Sequence, residues 1–166
     1  MYASLHLLAG APAAGKTTLL PYLLGAADGL VVMDLDELLE EGKLLGVTIA
    51  DPAAAAVWPA YDRMWERIVA IVRRAGHPVL LLCPVPDAGE LAPGGRWAPP
   101  VRWALLDCPD EVRLHRLKER GTPQEWVAEA MADAAHGRAL APTVFTGDDP
   151  AELAARILAW VRTGTH

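Results

Sequence analysis

Residues Gly10 to Thr17 read Gly-Ala-Pro-Ala-Ala-Gly-Lys-Thr, a full G-x-x-x-x-G-K-[ST] pattern. Gly10 and Gly15 permit backbone angles that side chains resist. The turn therefore curls with its N–H groups inward and forms a nest for an anion. A helix starting behind it adds a positive N-terminal end. In such a cradle Lys16 reaches the β- and γ-phosphates of a nucleotide, and the Thr17 hydroxyl ligates Mg²⁺. Ala11, Pro12, Ala13, Ala14 and Thr18 complete the expected nucleotide-contacting stretch.

A second group with chemical potential is Asp34-Leu35-Asp36. If the chain stays extended there, the two carboxylates point the same way, because strand side chains alternate with period two. One carboxylate would organise the metal's water shell, and the other would accept a proton from an acceptor hydroxyl. Helix capping by Asp36 is compatible with either role. The third group is Arg113, Arg116 and Arg120, spaced i, i+3 and i+7 on one helical face. Guanidinium forks match the charge that spreads over a transferring phosphoryl group. Ion pairing with Glu111 and Glu119 on a solvated face is the simpler alternative. Arg138 is a further candidate of the same kind.

The elements that must position these groups are legible as alternating runs. Residues Ala3–Ala9 are apolar enough for a buried strand, and Thr17–Leu24 form a first helix. With no basic region ahead of Leu5–Ala14, that stretch reads as a strand and turn rather than an export signal. Leu30–Met33 predicts a second strand, ending at Asp34. Residues 37–46 are amphipathic and acidic and predict a short helix. Ala53–Arg74 predict a long helix, kinked or restarted at Pro59 after a start at Asp51-Pro52. Val79–Cys83 is a third strand, closed by Pro84, and residues 84–100 read as a long loop without periodicity. Val101–Leu106 and Thr143–Phe145 are further strands. Helices are expected from Pro109 or Asp110 to Arg120, from Pro123 to Gly137 and from Asp149-Pro150 to Arg162. Strands alternating with helices give a parallel sheet covered on both faces, with ligands beyond the carboxyl ends of the strands.

The chain has 166 residues, 52% hydrophobic and 22% charged, which suits one enzyme-sized domain spanning 1–166. No apolar run reaches membrane-spanning length. The net charge of −6 argues against a broad nucleic-acid surface but leaves room for a local cationic pocket. Cys83 and Cys108 lack metal-ligand spacing, which fits buried thiols in a reducing cytoplasm. His6, His77, His115, His136 and His166 show no ligand spacing either. The strand at 79–83 ends in Cys83-Pro84 rather than in an acid, and no Asn-Lys-x-Asp guanine reader occurs. Both observations favour a small phosphotransferase over a motor-type ATPase or a signalling GTPase. Asp107 also follows an apolar run, and reads as a strand-end or turn residue before a metal ligand.

The loop Gly10–Thr17, the pair Asp34-x-Asp36 and the series Arg113, Arg116, Arg120 resemble the P-loop small-molecule kinases. These include shikimate kinase, gluconate kinase, chloramphenicol phosphotransferase and the zeta-toxin kinases. The stretch Asp36–Glu40 is similar to the one after the catalytic aspartate of the chloramphenicol enzyme. The resemblance implies a P-loop NTPase three-layer α/β/α sandwich with a five-stranded parallel sheet and a small lid over about residues 113–140. It implies ATP and Mg²⁺ as cofactors, Asp36 as the base and Asp34 nearer the metal. It also implies Arg113 or Arg116 on the nucleotide, with Arg116 and Arg120 as catalytic lid cations. Gly121 and Gly137 are candidate lid hinges, and Thr146–Asp149 is expected beside the adenine edge. The chain departs from shikimate kinase in lacking Gly-Gly-Gly after the third strand. It departs from gluconate kinase in lacking His-Phe after the arginines.

For the acceptor, the candidates are Asp34, Asp36, Trp58, Arg63 and Arg96, the last within Gly94-Gly95-Arg96-Trp97. Aromatics with an arginine suit a planar or sugar-like molecule such as a nucleoside, sugar or natural product. Core packing is the plainer reading of Trp58 and Trp65. The function read from these residues is ATP- and Mg²⁺-dependent phosphorylation of a small-molecule hydroxyl. The alternatives are a nucleotide-binding regulatory module without an acceptor, and a nucleoside-monophosphate kinase.

Overall fold

The computed structural model describes residues 1–39, 43–44, 46–48 and 51–164. From the N-terminus come β1 (Leu5–Ala9), α1 (Lys16–Ala26) and β2 (Val31–Asp34). Two short strands follow, β3 (Lys43–Leu44) and β4 (Val47–Thr48), then a 3₁₀ turn at Pro52–Ala56 and α2 (Trp58–Arg74). Next are β5 (Val79–Cys83), α3 (Ala88–Leu91) and β6 (Val101–Leu106). The chain finishes with α4 (Asp110–Glu119), α5 (Gln124–Leu140), β7 (Val144–Phe145) and α6 (Pro150–Arg162).

Five of the strands form one parallel sheet in the order β2-β5-β1-β6-β7. The central strands β1 and β5 are buried along their whole length, as their apolar runs, broken in β1 only by His6, require. Period two divides their side chains between two cores. Leu8, Leu80 and Leu82 pack with Leu19 and Leu23 of α1 and Leu153, Ile157 and Val161 of α6. Leu5, Leu7, Val79 and Leu81 pack on the other face with Tyr61, Trp65 and Val69 of α2. The result is the expected three-layer α/β/α sandwich. Among the described residues no helix is long and apolar enough to cross a membrane.

Three local expectations are corrected, and of the two forms open for the helix from 53 the restarted one is found. Residues 37–46 do not form a helix where they are described; 40–42 and 45 lie outside the described residues. The chain turns after β2 instead, and Lys43–Leu44 pair antiparallel with Val47–Thr48 around Gly46, whose φ of +80° is costly for any other residue. The helix from 53 is two pieces: Asp51 caps the 3₁₀ turn through Ala53 N at 2.8 Å, and α2 restarts with Pro59 in its first turn, where a missing N–H costs nothing. The loop 84–100 contains α3, closed by a capping box of Asp87 and Glu90. Gly137 is no hinge: a Cβ there would lie 2.8 Å from Leu105 Cδ1, so this glycine lets α5 approach β6 closely.

His6, on β1, is fully buried edge-on to Trp160 of α6, with ring centroids 5.3 Å apart. Neither ring nitrogen meets hydrogen-bond geometry with any described residue. Burial first, and the nearby Arg102 charge second, lower its pKa from 6.5 to about 4. The folded state thus favours the neutral ring. Its stabilising contribution is full above pH 6.5 and is lost as the pH falls through about 4. A shift of that size corresponds to roughly 3 kcal/mol. Denaturant melts between pH 7 and 4 should show this loss, and His6→Leu should flatten it.

Candidate active site: an anion cradle and an adjoining cavity

The turn between β1 and α1 is built as the glycine pattern requires. Gly15 caps α1 at φ 105°, and Ala13 also adopts a left-handed angle, φ 64°. A non-glycine residue persists there only when its surroundings over-determine it. Here the Ala13 methyl packs against Leu117 of α4 and Val127 and Ala130 of α5. Its carbonyl accepts from Arg116 Nη1 at 3.0 Å. At Gly10 an added Cβ would meet Ala14 Cβ at 3.2 Å and Leu106 O at 3.3 Å, so the close turn needs glycine. Lys16 Nζ donates to Gly10 O at 2.7 Å and Cys83 O at 3.1 Å, and so lies across the ends of β1 and β5. A cleft of about 430 Å³ runs along Gly10–Thr18 and is closed by Asp36, Trp58, Arg120 and Asp133.

The arginine series divides by depth. Arg113, expected on the nucleotide, is wholly buried behind the turn. It donates to Pro12 O at 2.6 Å and to Asp107 Oδ1 at 2.5 Å, because its position on α4 aims it at the loop's outer carbonyls. Arg116, half-buried, grips Ala13 O and borders a small groove with Gly15, Thr18, Gly147 and Asp148. Arg120, exposed at the end of α4, lines the cleft itself. Arg138 faces away from the cleft: its Nε donates to Asp107 Oδ2 and its Nη2 to Asp110 Oδ1, both at 2.5 Å. Asp107 is therefore the buried partner of two guanidinium groups and not a simple turn residue. Asp133 had no signal in the sequence beyond its place on a helix near the arginines.

The acidic pair differs from the extended arrangement. The strand stops at Asp34, whose Oδ1 accepts the backbone N–H of Asp36 at 3.0 Å and so bends the chain. The Tyr61 hydroxyl of α2 donates to Leu35 O and anchors the same turn. Asp36 is thereby presented outward, at the wall between two spaces. On one side is the phosphate-loop cleft. On the other is a cavity of about 280 Å³ bordered by Trp58, Asp62, Glu90, Arg96 and Trp97. Surrounding protein raises the Asp36 pKa above the ordinary carboxylate value; Lys16 opposes this and Asp34 adds to it.

Of the expected acceptor residues, Asp36, Trp58 and Arg96 reach this cavity, and Asp34, bonded to the Asp36 backbone, borders neither space. Arg63 does not reach it either: it is exposed on α2 and borders neither space. Trp65 is core, 5% exposed. The Arg96-Trp97 segment is held by Gly95, where a Cβ would come within 2.6 Å of the Glu90 and Gly89 carbonyls. Glu66 and Glu90 were not foreseen; Asp62 and Glu66 are one helical turn apart, but their meeting with Arg96 is a long-range event.

Known proteins agree with this architecture. A family model described as an AAA domain matches residues 5–141. No curated protein matches the chain in sequence. Among solved structures, a sugar kinase from Janibacter sp. HTCC2649 superposes with a TM-score of 0.62 at 19% identity, covering 99% of this chain and 97% of that one. A shikimate kinase from Bacteroides thetaiotaomicron gives 0.61 at 17% identity, covering 98% and 99%. A gluconokinase from Sinorhizobium meliloti 1021 gives 0.60 at 17% identity, covering 98% and 93%. The chain belongs to the AAA domain family, and its fold is that of the P-loop small-molecule kinases and phosphotransferases.

Proposed function

We propose that this protein transfers the terminal phosphoryl group of ATP to a hydroxyl of a small molecule bound beside Asp36. The observation that carries this reading is the position of Asp36 and Trp58 on the wall shared by the cleft and the cavity. A phosphate chain along Gly10–Thr18 and an alcohol in the cavity would meet there. The acceptor oxygen forms its bond to the γ-phosphorus as the β–γ bridging bond breaks. The hydroxyl proton passes to Asp36, and ADP leaves. Lys16 moves from its carbonyl partners to the phosphates, and Arg120 faces the charge that develops on the transferring group.

Mg²⁺ fits the residues present. Among the described residues no three His, Cys, Asp or Glu side chains cluster into a ready cage. That suits an ion held mainly by phosphate and water with one or two protein oxygens. Thr17, exposed in the cleft on the first turn of α1, would supply one oxygen, and of the acidic pair only Asp36 borders the same cleft to face the ion's water shell, Asp34 being bonded to the Asp36 backbone. Such an ion would neutralise charge on the phosphate oxygens. The adenine would lie in the groove between Arg116 and Gly147-Asp148. Of the expected lid 113–140, the part before Gly121 is held to the loop by Arg113 and Arg116, so the moving part would be the stretch after Gly121 (φ +67°) that brings Asp133 to the cleft.

The test is ADP release measured with and without a panel of sugars, nucleosides and natural-product alcohols. Release is expected to rise only with an accepted alcohol, which then carries one added phosphoryl group by mass spectrometry. ATP hydrolysis indifferent to every alcohol would favour a nucleotide-controlled binding module instead.

A further inference from the structure

Arg96 is the one cation among the described residues bordering the acceptor cavity, and each of its three nitrogens faces a carboxylate, Nη1 and Nη2 by hydrogen bonds and Nε by charge without hydrogen-bond geometry. Its Nη2 lies 2.9 Å from Asp62 Oδ1, its Nε 3.1 Å from Glu66 Oε1 and its Nη1 3.3 Å from Glu90 Oε1. The three carboxylates come from α2 and from the capped turn of α3, so two helices fix them. The guanidinium also lies over the Trp97 ring, 4.7 Å from its centroid, and its side chain is 16% exposed. A guanidinium recognises an acid through a free edge carrying two parallel N–H groups. With carboxylates of this chain facing all three nitrogens, an incoming acid would have to displace one of them to reach such an edge. The cavity border itself carries Asp36, Asp62 and Glu90 against this single positive charge. The rest of the border is apolar: Leu7, Trp58, Val85, Pro86 and Trp97.

Building on the phosphotransfer reading, we propose that the acceptor is an alcohol free of acidic groups, uncharged or amine-bearing, with an apolar face toward Trp58 and Trp97. Arg96 acts as a positioning residue: it ties α2 to α3 and sets Trp97, and does not bind the acceptor's charge. An acceptor with a carboxylate or phosphate would have to lie against this excess of negative charge in a partly dehydrated space. Like-charge contact of that kind lowers kcat/KM by about 100-fold or more.

Two measurements test this. The first compares ADP release with glucose, glucosamine and gluconate, and with shikimate and its methyl ester. Turnover of the uncharged or amine-bearing members, with the acids at least about 100-fold slower, is the expected result. Preference for gluconate or shikimate overturns the selectivity and leaves phosphotransfer standing. The second needs no substrate. Caesium and iodide quenching of tryptophan fluorescence are compared, normalised to free N-acetyltryptophanamide. The component lost in Trp58→Phe and Trp97→Phe reports the cavity. That component should favour caesium several-fold, and a combined Asp62→Asn, Glu66→Gln, Glu90→Gln variant should abolish the preference, because Asp36 and Arg96 then balance on the border. Iodide preference in the unsubstituted protein overturns the proposal even where the triple variant does not fold. Caesium preference without alcohol-dependent ADP release upholds the cavity's charge and overturns phosphotransfer.

Discussion

Replacing Lys16 with alanine is expected to lower acceptor-dependent ADP release by about a thousandfold, measured as kcat in a coupled assay. The side chain lies across the ends of β1 and β5, bonded to Gly10 O and Cys83 O. From there a short swing brings its charge onto a phosphate chain in the cradle. Without it, developing charge on the transferring group loses its nearest fixed cation. Nucleotide affinity should weaken as well, because the same ammonium contributes before and during the reaction. Far-ultraviolet circular dichroism should be unchanged, since Lys16 is at the start of α1 and only part-buried. A Lys16→Ala protein with near-normal kcat would remove the cradle from the mechanism. Lys16→Arg is not expected to rescue it. Lys16 Cδ lies 3.4 Å from where a Gly10 Cβ would be, and a planar fork suits that tight passage poorly.

Asp36→Asn is expected to reduce kcat by about 10²- to 10⁴-fold while leaving equilibrium nucleotide binding nearly unchanged. The amide keeps the shape of the carboxylate but cannot take the acceptor's proton. The pH profile carries an independent signature. Burial raises the Asp36 pKa, partly offset by Lys16. The ionised form is the base, so kcat/KM should fall as the pH drops through this raised value, above the usual carboxylate range of about 4. In Lys16→Ala, which removes the offsetting charge, any residual activity should show its acid limb at still higher pH. Stability runs the other way. A carboxyl whose folded pKa is raised supports folding below its unfolded pKa, and that support is lost as the pH rises through the folded value. At neutral pH the ionised Asp36 therefore weighs on the fold, and Asp36→Asn should melt at the same or a slightly higher temperature by calorimetry. A variant that loses nucleotide binding along with turnover would contradict the assignment of Asp36 as base.

The parts of the molecule governed by local rules were legible from the residues. Apolar runs, broken in β1 only by His6, marked β1 and β5 because a central parallel strand is buried on both faces. Asp149-Pro150 marked the start of α6, and Asp149 Oδ1 indeed accepts Ala151 N at 2.8 Å. The glycine turn was legible because backbone conformation is written directly in glycine spacing. Hidden were the features decided between distant segments. Helical spacing placed Arg113 beside Arg116 and Arg120 but carried no information on which side would meet the loop. Arg96 read as a contact for a planar or sugar-like acceptor, and nothing local announced the carboxylates that α2 and α3 bring around it. The acidic stretch after β2 had helical amphipathicity, yet the Asp34 carboxylate bonding to Asp36 N diverted the chain at its first step. One missed signal was local: Asp87 and Glu90 are spaced as a capping box, and that spacing announces α3 inside the loop.

The outer carbonyls of Pro12 and Ala13 are grasped from behind by Arg113 and Arg116, a hundred residues downstream. Peptide planes are rigid, so pulling those oxygens outward fixes how the adjoining peptide units face the interior. The shape of the receptacle is thus maintained in the absence of any guest, by scaffolding borrowed from the far half of the chain. Damage at the root of α4 would consequently surface as poor nucleotide capture in a protein whose entire glycine signature is intact.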